Sequence, residues 1–197
     1  MGGRRELALR KREGRIVRQA RRLFLKRGFE QSTVLEIAKA SDVAIGTIYK
    51  HFDSKEAILV GVLEHQMRRL MRAVLRAVQA CEDPLDRLRI FTTLKGHLVA
   101  QNRPLFERDL RTLSILVGAH LPSFETSERQ QQRFLTALAE DLIKAGQLKP
   151  GCVKLYAQIM GALSDSYIQA HLSESKPFHQ SGEAVCQMLL QGAGTPS

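Results

Sequence analysis

The densest run of side chains able to do chemistry lies between Thr33 and Lys55. There Thr47, Tyr49, Lys50, His51 and Lys55 set two hydroxyls, two ammonium groups and one imidazole close together. All are hydrogen-bond donors, and the ammonium of Lys50 has the reach to meet the O6 and N7 acceptors of guanine. Bond-breaking chemistry has no comparable signal. The chain holds no G-x-S-x-G, P-loop, H-E-x-x-H, C-x-x-C or G-x-G-x-x-G. Its six histidines are scattered, and no acid–base pair stands out by spacing. The chain therefore reads as a non-enzyme, with no cofactor and no metal site. Cys81, Cys152 and Cys186 are widely spaced and odd in number, which argues against a zinc site and a disulfide framework. They read as small apolar residues in a reducing compartment. Were one a thiol sensor, Cys81, near a helix end, is the one expected to be exposed.

The charge singles out the same part of the chain. The 197 residues carry 30 Lys and Arg against 20 Asp and Glu, a formal net of +10. Residues 1–60 hold 14 Lys/Arg against 7 Asp/Glu, a net of +7, and the remainder holds +3. A basic first domain on a nearly balanced second one is the footprint of a nucleic-acid reader. Hydrophobic residues at 44% exclude a disordered chain. No run approaches the roughly 20 apolar residues of a membrane span, and no secretory apolar stretch follows Met1. A cytoplasmic protein without membrane contact is expected.

The elements that must position these residues read as helices throughout. Ile16, Val17, Ala20, Leu23 and Phe24 recur at helical spacing, and Gly28 stops that helix. Thr33-Val34-Leu35-Glu36 is a capping-box pattern that opens a short helix through Ala40. Ser41-Asp42-Val43 makes a tight turn, and a second short helix runs from about Ala44 to Phe52. Asp53, with Glu56 three residues on, is expected to cap a long helix reaching about Val78. Beyond it, prolines divide the chain into helical blocks of about 85–101, 104–118, 124–146, 151–172 and 178–191. The domain plan is a basic N-terminal arm over 1–12, a reader over 13–60, a helical domain over 61–191 and a disordered tail over 192–197.

Two short helices joined by a three-residue turn, behind a longer supporting helix, make a helix-turn-helix. The residues Gly46-Thr47-Ile48-Tyr49-Lys50-His51-Phe52 followed by Ser54-Lys55-Glu56 are specific enough to name a likeness. The stretch of about residues 12–62 resembles the N-terminal DNA-binding domain of the TetR family of bacterial transcriptional regulators. The resemblance implies an all-α protein: a three-helix helix-turn-helix domain, then a helical ligand-binding and dimerisation domain. It also implies that Thr47, Tyr49 and Lys55 hold the phosphate backbone, a role that hydroxyl and ammonium donors suit. Thr33 caps the second helix so that its end faces a phosphate, and His51 is a further phosphate contact. Lys50 is the expected base reader, with Ala44 and Ile45 against thymine methyls. Leu35 and Ala44 depart from the family pattern, where a polar residue and a Ser cap are frequent. Asp42 stands at the common turn glycine and tolerates a left-handed conformation better than most residues.

For the second domain the resemblance implies a homodimer through its last two long helices. Tyr156, Met160, Gly161, Leu163, Ser164, Tyr167, Val185, Met188 and Leu189 supply the expected faces. Met67, Met71, Phe91, His97, Phe106, Phe134 and Leu138 fall on helices that line ligand pockets in the family. The function implied is a repressor that binds a palindromic double-stranded operator and is released by a small-molecule effector. The alternative is a ligand-independent DNA-binding architectural factor.

Overall fold

The computed structural model describes residues 2–102, 105, 121–174 and 181–193. They form helices α1 (Gly2–Arg27), α2 (Val34–Ala40), α3 (Ile45–Tyr49), α4 (Lys55–Ala77), α5 (Pro84–Gln101), α6 (Leu121–Lys144), α7 (Val153–Glu174) and α8 (Ser181–Ala193). A single 3-10 turn, Val78–Ala80, follows α4. No strand occurs among the described residues. The chain folds as two compact units. The first takes the residues up to Met67 together with Asn102, Leu105 and residues 121–125, and the second takes Arg68–Gln101 and the chain from Thr126. The division therefore falls at Met67 rather than near residue 60.

In the first unit, the periodic apolar residues of α1 become the core. Ile16, Val17, Ala20 and Phe24 are buried with Ile37 and Ala38 of α2, Ile48 of α3, Phe52, and Ile58, Leu59, Val62 and Leu63 of α4. Burying a side chain the size of Phe24 contributes about 1.5–3 kcal/mol. Phe29 packs edge-on against Phe24, their ring centres 5.2 Å apart. Gly28 ends α1 at φ 86, the left-handed position that glycine takes without steric cost. At Gly61 an added Cβ would stand 2.8 Å from the Phe52 ring, so α4 lies tight on that ring. The basic stretch 1–12 is not a separate arm: α1 runs unbroken from Gly2 to Arg27. Leu, Ala, Arg and Lys fill residues 7–12, and all of them favour helix.

The second unit rests on α5, against which α7 and α8 pack. Leu85, Leu88 and Phe91 of α5 are buried, as are Met160 and Ile168 of α7 and Val185, Cys186 and Leu189 of α8. At Gly182 an added Cβ would stand 2.6 Å from the Arg89 carbonyl oxygen and 2.8 Å from the Arg89 Cα. Glycine is what lets these two backbones approach. Several polar side chains inside this unit are paired, while Gln147 Oε1 is buried without a hydrogen-bond partner. Thr92 and Ser164 share a hydrogen bond of 3.0 Å, and Ser164 Oγ also donates to the Met160 carbonyl at 2.8 Å. The buried Lys95 ammonium lies 2.7 Å from Asp165 Oδ1 and 5.4 Å from the centre of the Phe91 ring. Asp83 accepts from the Leu85 amide at 2.9 Å and from the Gln147 amide at 3.0 Å, and these bonds hold its carboxyl below the usual range. Cys186 is buried with Sγ 3.7 Å from the Leu85 carbonyl, and burial pushes its thiol up to about 12. The exposed cysteine is Cys152, while Cys81 is half-buried, the reverse of the expectation for a sensor thiol. The tail expected over 192–197 is helical as far as Ala193, and 194–197 lie outside the described residues.

Candidate nucleic-acid interface

The capping box at the start of α2 forms as its local spacing demands. Thr33 Oγ1 accepts from the Glu36 amide at 3.2 Å, and Glu36 Oε2 accepts from the Thr33 amide at 2.9 Å. The Thr33 hydroxyl also donates to Glu36 at 3.1 Å, and Arg27 pairs with the same carboxylate at 2.6 Å. Together, the Thr33 backbone bond first, these contacts lower the Glu36 pKa. Thr33 is thus occupied by the cap, and a carboxylate already sits at this helix start.

The turn that follows is the tight one the sequence implies. Asp42 takes φ 51, the only positive φ outside glycine among the described residues. Asx side chains accept this conformation at modest cost. Arg15 of α1 braces the turn, with Nη2 donating to the Asp42 carbonyl at 3.1 Å and Nη1 lying 3.8 Å from its carboxylate. The two residues stand 27 apart in sequence, so no local pattern announced the contact. α3 then starts at Ile45, with Ala44 as a cap residue that makes no side-chain hydrogen bond. It is shorter than expected, ending at Tyr49 with Lys50 as its C-cap.

Only Ile48 of α3 is buried, which turns the opposite side of the helix outward. Ala44, Gly46, Tyr49 and Lys50 are exposed, and Ile45 is 42% exposed. Thr47 and His51 are half-buried, and His51 lies tilted against Phe52. An added Cβ at Gly46 would meet nothing within 4 Å. The expected base contacts Ala44, Ile45 and Lys50 therefore stand, with the expected phosphate contact Tyr49, on one short, solvent-facing element. α2 adds Leu35, 50% exposed.

The start of α4 differs from its sequence reading. The cap is Ser54, whose Oγ accepts from the Ala57 amide at 3.0 Å, and not Asp53. Lys55, expected on a phosphate, has its ammonium 3.1 Å from the Phe29 carbonyl and 3.4 Å from that of Glu30. It also lies 4.4 Å from the centre of the Phe29 ring. Two of its three protons are thus directed into the protein, tying α4 to the loop after α1. One proton remains for an outside acceptor.

The residues expected to contact a ligand do not converge on one described pocket. Met71, Phe91 and Leu138 are buried, and Phe91 meets Phe134 with ring centres 5.6 Å apart. His97 is exposed, Met67 belongs to the first unit, and Phe106 lies outside the described residues. An open groove of about 620 Å³ runs along α4, lined by Arg69, Arg72, Ala73, Leu75 and Arg76. Sequence reading passed over it because its arginines fall on the polar side of an amphipathic helix. Among the residues expected at a dimer interface, Met160, Gly161, Ser164, Val185 and Leu189 are buried within the chain. These residues belong to the core of the second unit. Leu163 and Tyr167 are half-buried, Tyr156 donates to the Lys149 carbonyl at 3.1 Å, and Met188 is exposed. Among the described residues, no group of three His, Cys, Asp or Glu is placed to hold a metal ion. No described helix is long and apolar enough to cross a membrane.

Comparison with known proteins places the same residues in context. The family described as bacterial regulatory proteins, tetR family, matches residues 16–62. An uncharacterized HTH-type transcriptional regulator of Mycobacterium tuberculosis is 32% identical over 127 residues, 64% of this chain and 63% of that protein. The chain thus spans less than two thirds of that relative's length. The HTH-type transcriptional repressor KstR of Mycolicibacterium smegmatis is 34% identical over 112 residues, 57% of this chain and 54% of that one. The fold is similar to that of the transcriptional regulator FadR of Bacillus subtilis, solved in complex with stearoyl-CoA. That likeness has a TM-score of 0.70 at 21% identity and covers 90% of this chain and 97% of the other.

Proposed function

Starting from a chain that belongs to the TetR family of bacterial regulators, we propose that it is a DNA-binding repressor that grips a two-fold operator as a homodimer and lets go when a small molecule binds. The observation that carries the reading is α3: a helix buried through Ile48 alone, with Tyr49, Lys50 and Ile45 exposed beside it. Such a helix, held over a buried core and set in a basic unit, matches how a recognition helix is offered to the major groove. In this reading Tyr49 and Lys50 supply the outward donors. Thr47, His51 and the remaining proton of Lys55 meet phosphates at the edge of the contact, and Thr33 orders α2.

The dimer reading draws on geometry. One short helix makes few contacts, and two joined readers gain through effective concentration. Among the described residues, the large apolar side chains exposed on the last two helices are Leu155 and Met188, 52% and 49% exposed. They replace Met160, Val185 and Leu189 as the proposed centre of the interface. The effector is proposed to be an anionic molecule with an apolar tail. The arginines along the α4 groove stand beside Ala73 and Leu75, and a structural neighbour binds stearoyl-CoA. For the ligand to release DNA it must favour a conformation that binds DNA poorly, and DNA must weaken ligand binding equally.

The test is selection of duplexes from a random library with the full chain, followed by sedimentation of the complex and titration with stearoyl-CoA. An inverted repeat with half-sites about one DNA turn apart, bound by two chains, is expected. Enrichment of no sequence, or binding by a single chain, overturns the operator reading. Unchanged DNA affinity at saturating stearoyl-CoA overturns the effector class alone.

A further inference from the structure

The surface built by α2 and α3 is unusual for a polyanion-binding face in how much of it is apolar. Among the described residues of the first unit, the large apolar side chains left exposed are Leu7, Leu9, Leu35, Ile45 and Tyr49. Leu7 and Leu9 lie near the start of α1, whereas Leu35, Ile45 and Tyr49 sit on the two helices that flank the turn at Asp42. Ala44 extends the exposed apolar surface at the start of α3, and the space in front of Gly46 is empty. The core under these helices is complete without them. Val34, Ile37, Ala38 and Val43 already pack with Ile48. An exposed leucine alone carries no message, but several on the side of a domain that faces its partner do.

The partner's chemistry follows from what such side chains can touch. In the major groove, hydrogen-bonding edges are useless to a leucine or isoleucine. The one apolar feature there is the C5-methyl group of thymine, which 5-methylcytosine shares. Resting on the reading of this unit as a DNA reader, we infer that Leu35 and Ile45 are specificity-determining residues that recognise 5-methylpyrimidines, so each half-site carries two such methyl-bearing positions. Lys50 then supplies the hydrogen-bonded base contact between largely apolar neighbours. Leu35, half exposed on α2, is then a reader by shape.

The test uses the duplex that the full chain enriches from the random library. Each thymine is replaced in turn by deoxyuridine, which keeps every hydrogen-bonding edge and removes the methyl. At two positions per half-site, binding is expected to weaken by about fourfold, the worth of one buried methyl group. At the same two positions, a 5-methylcytosine–guanine pair should bind more tightly than a cytosine–guanine pair. That arm separates recognition of the methyl from recognition of a thymine–adenine pair as such. In Leu35→Ala the deoxyuridine penalty should disappear at one position, and in Ile45→Ala at the other. Both side chains are exposed, and unchanged thermal melting of the variants confirms that the fold is kept. A penalty-free deoxyuridine series, or penalties that persist in both variants, overturns the inference while leaving DNA binding intact. Failure to enrich any duplex removes the DNA reading and this inference with it.

Discussion

The two units use glycine and apolar side chains in opposite ways. In the first, Gly46 faces open space and Leu35, Ile45 and Tyr49 are left outside a core that closes without them. In the second, Gly182 is pressed against the Arg89 backbone, and Met160, Val185, Leu189 and even Lys95 are drawn inside. The first unit leaves these apolar side chains facing solvent. The second directs its side chains mostly at itself. A helix buried on one narrow line, as α3 is at Ile48, can present everything else. A helix such as α7, packed on α5 and α8, has little left to present.

That contrast can be broken most forcefully from below. Phe24→Ala removes a fully buried ring that also carries Phe29, and should lower stability of the first unit by about 3–5 kcal/mol. Chemical denaturation followed by circular dichroism, with DNA binding lost in step, is the check. Next comes the pair of glycines. Gly182→Ala should cost about 1–3 kcal/mol by forcing α8 away from α5. Gly46→Ala should instead gain about 0.5–1 kcal/mol, because alanine is the better helix former and nothing stands in its way. If the open space before Gly46 is where DNA comes closest, this stabilised variant binds DNA more weakly. Equal destabilisation by both alanines would erase the distinction between the units.

The smallest effect is a pH dependence at the α2 cap. The Thr33 bonds lower the Glu36 pKa from 4.5, so the folded state favours the carboxylate. Its contribution is present above pH 4.5 and is lost as pH falls below that value, through the lowered pKa of the folded state. Glu36→Gln should flatten this part of the stability profile between acid and neutral pH, a change visible as converging melting temperatures at low pH.

What was legible in the sequence was what depends on residues three or four apart. The apolar line Ile16-Val17-Ala20-Phe24, the Thr33–Glu36 box and the left-handed turn at Asp42 all form from local spacing. The cap of α4 shows the limit of such reading. Asp53 and Ser54 are adjacent, both are good caps, and only the path of the chain chose Ser54. The arm at 1–12 was misread because its charge suggested solvent, while its helix-forming residues simply extend α1. In the second unit, periodicity identified which faces of α7 and α8 are apolar. It carried no information on whether α5 or a second chain would cover them.

The sequence by itself determined that this chain is helical, that its charge lies at the front, and that a helix-turn-helix occupies residues near 33–55. Those properties are written in nearest-neighbour preferences and in charge, which need no partner to be expressed. The tertiary structure alone decided that Arg15 braces Asp42, that Lys55 turns back onto the Phe29 and Glu30 carbonyls, and that Ser164 meets Thr92. Each of these joins residues from different elements. Hydrogen-bond energies act over about 3 Å, so such contacts exist only once packing of the apolar faces has brought the elements together.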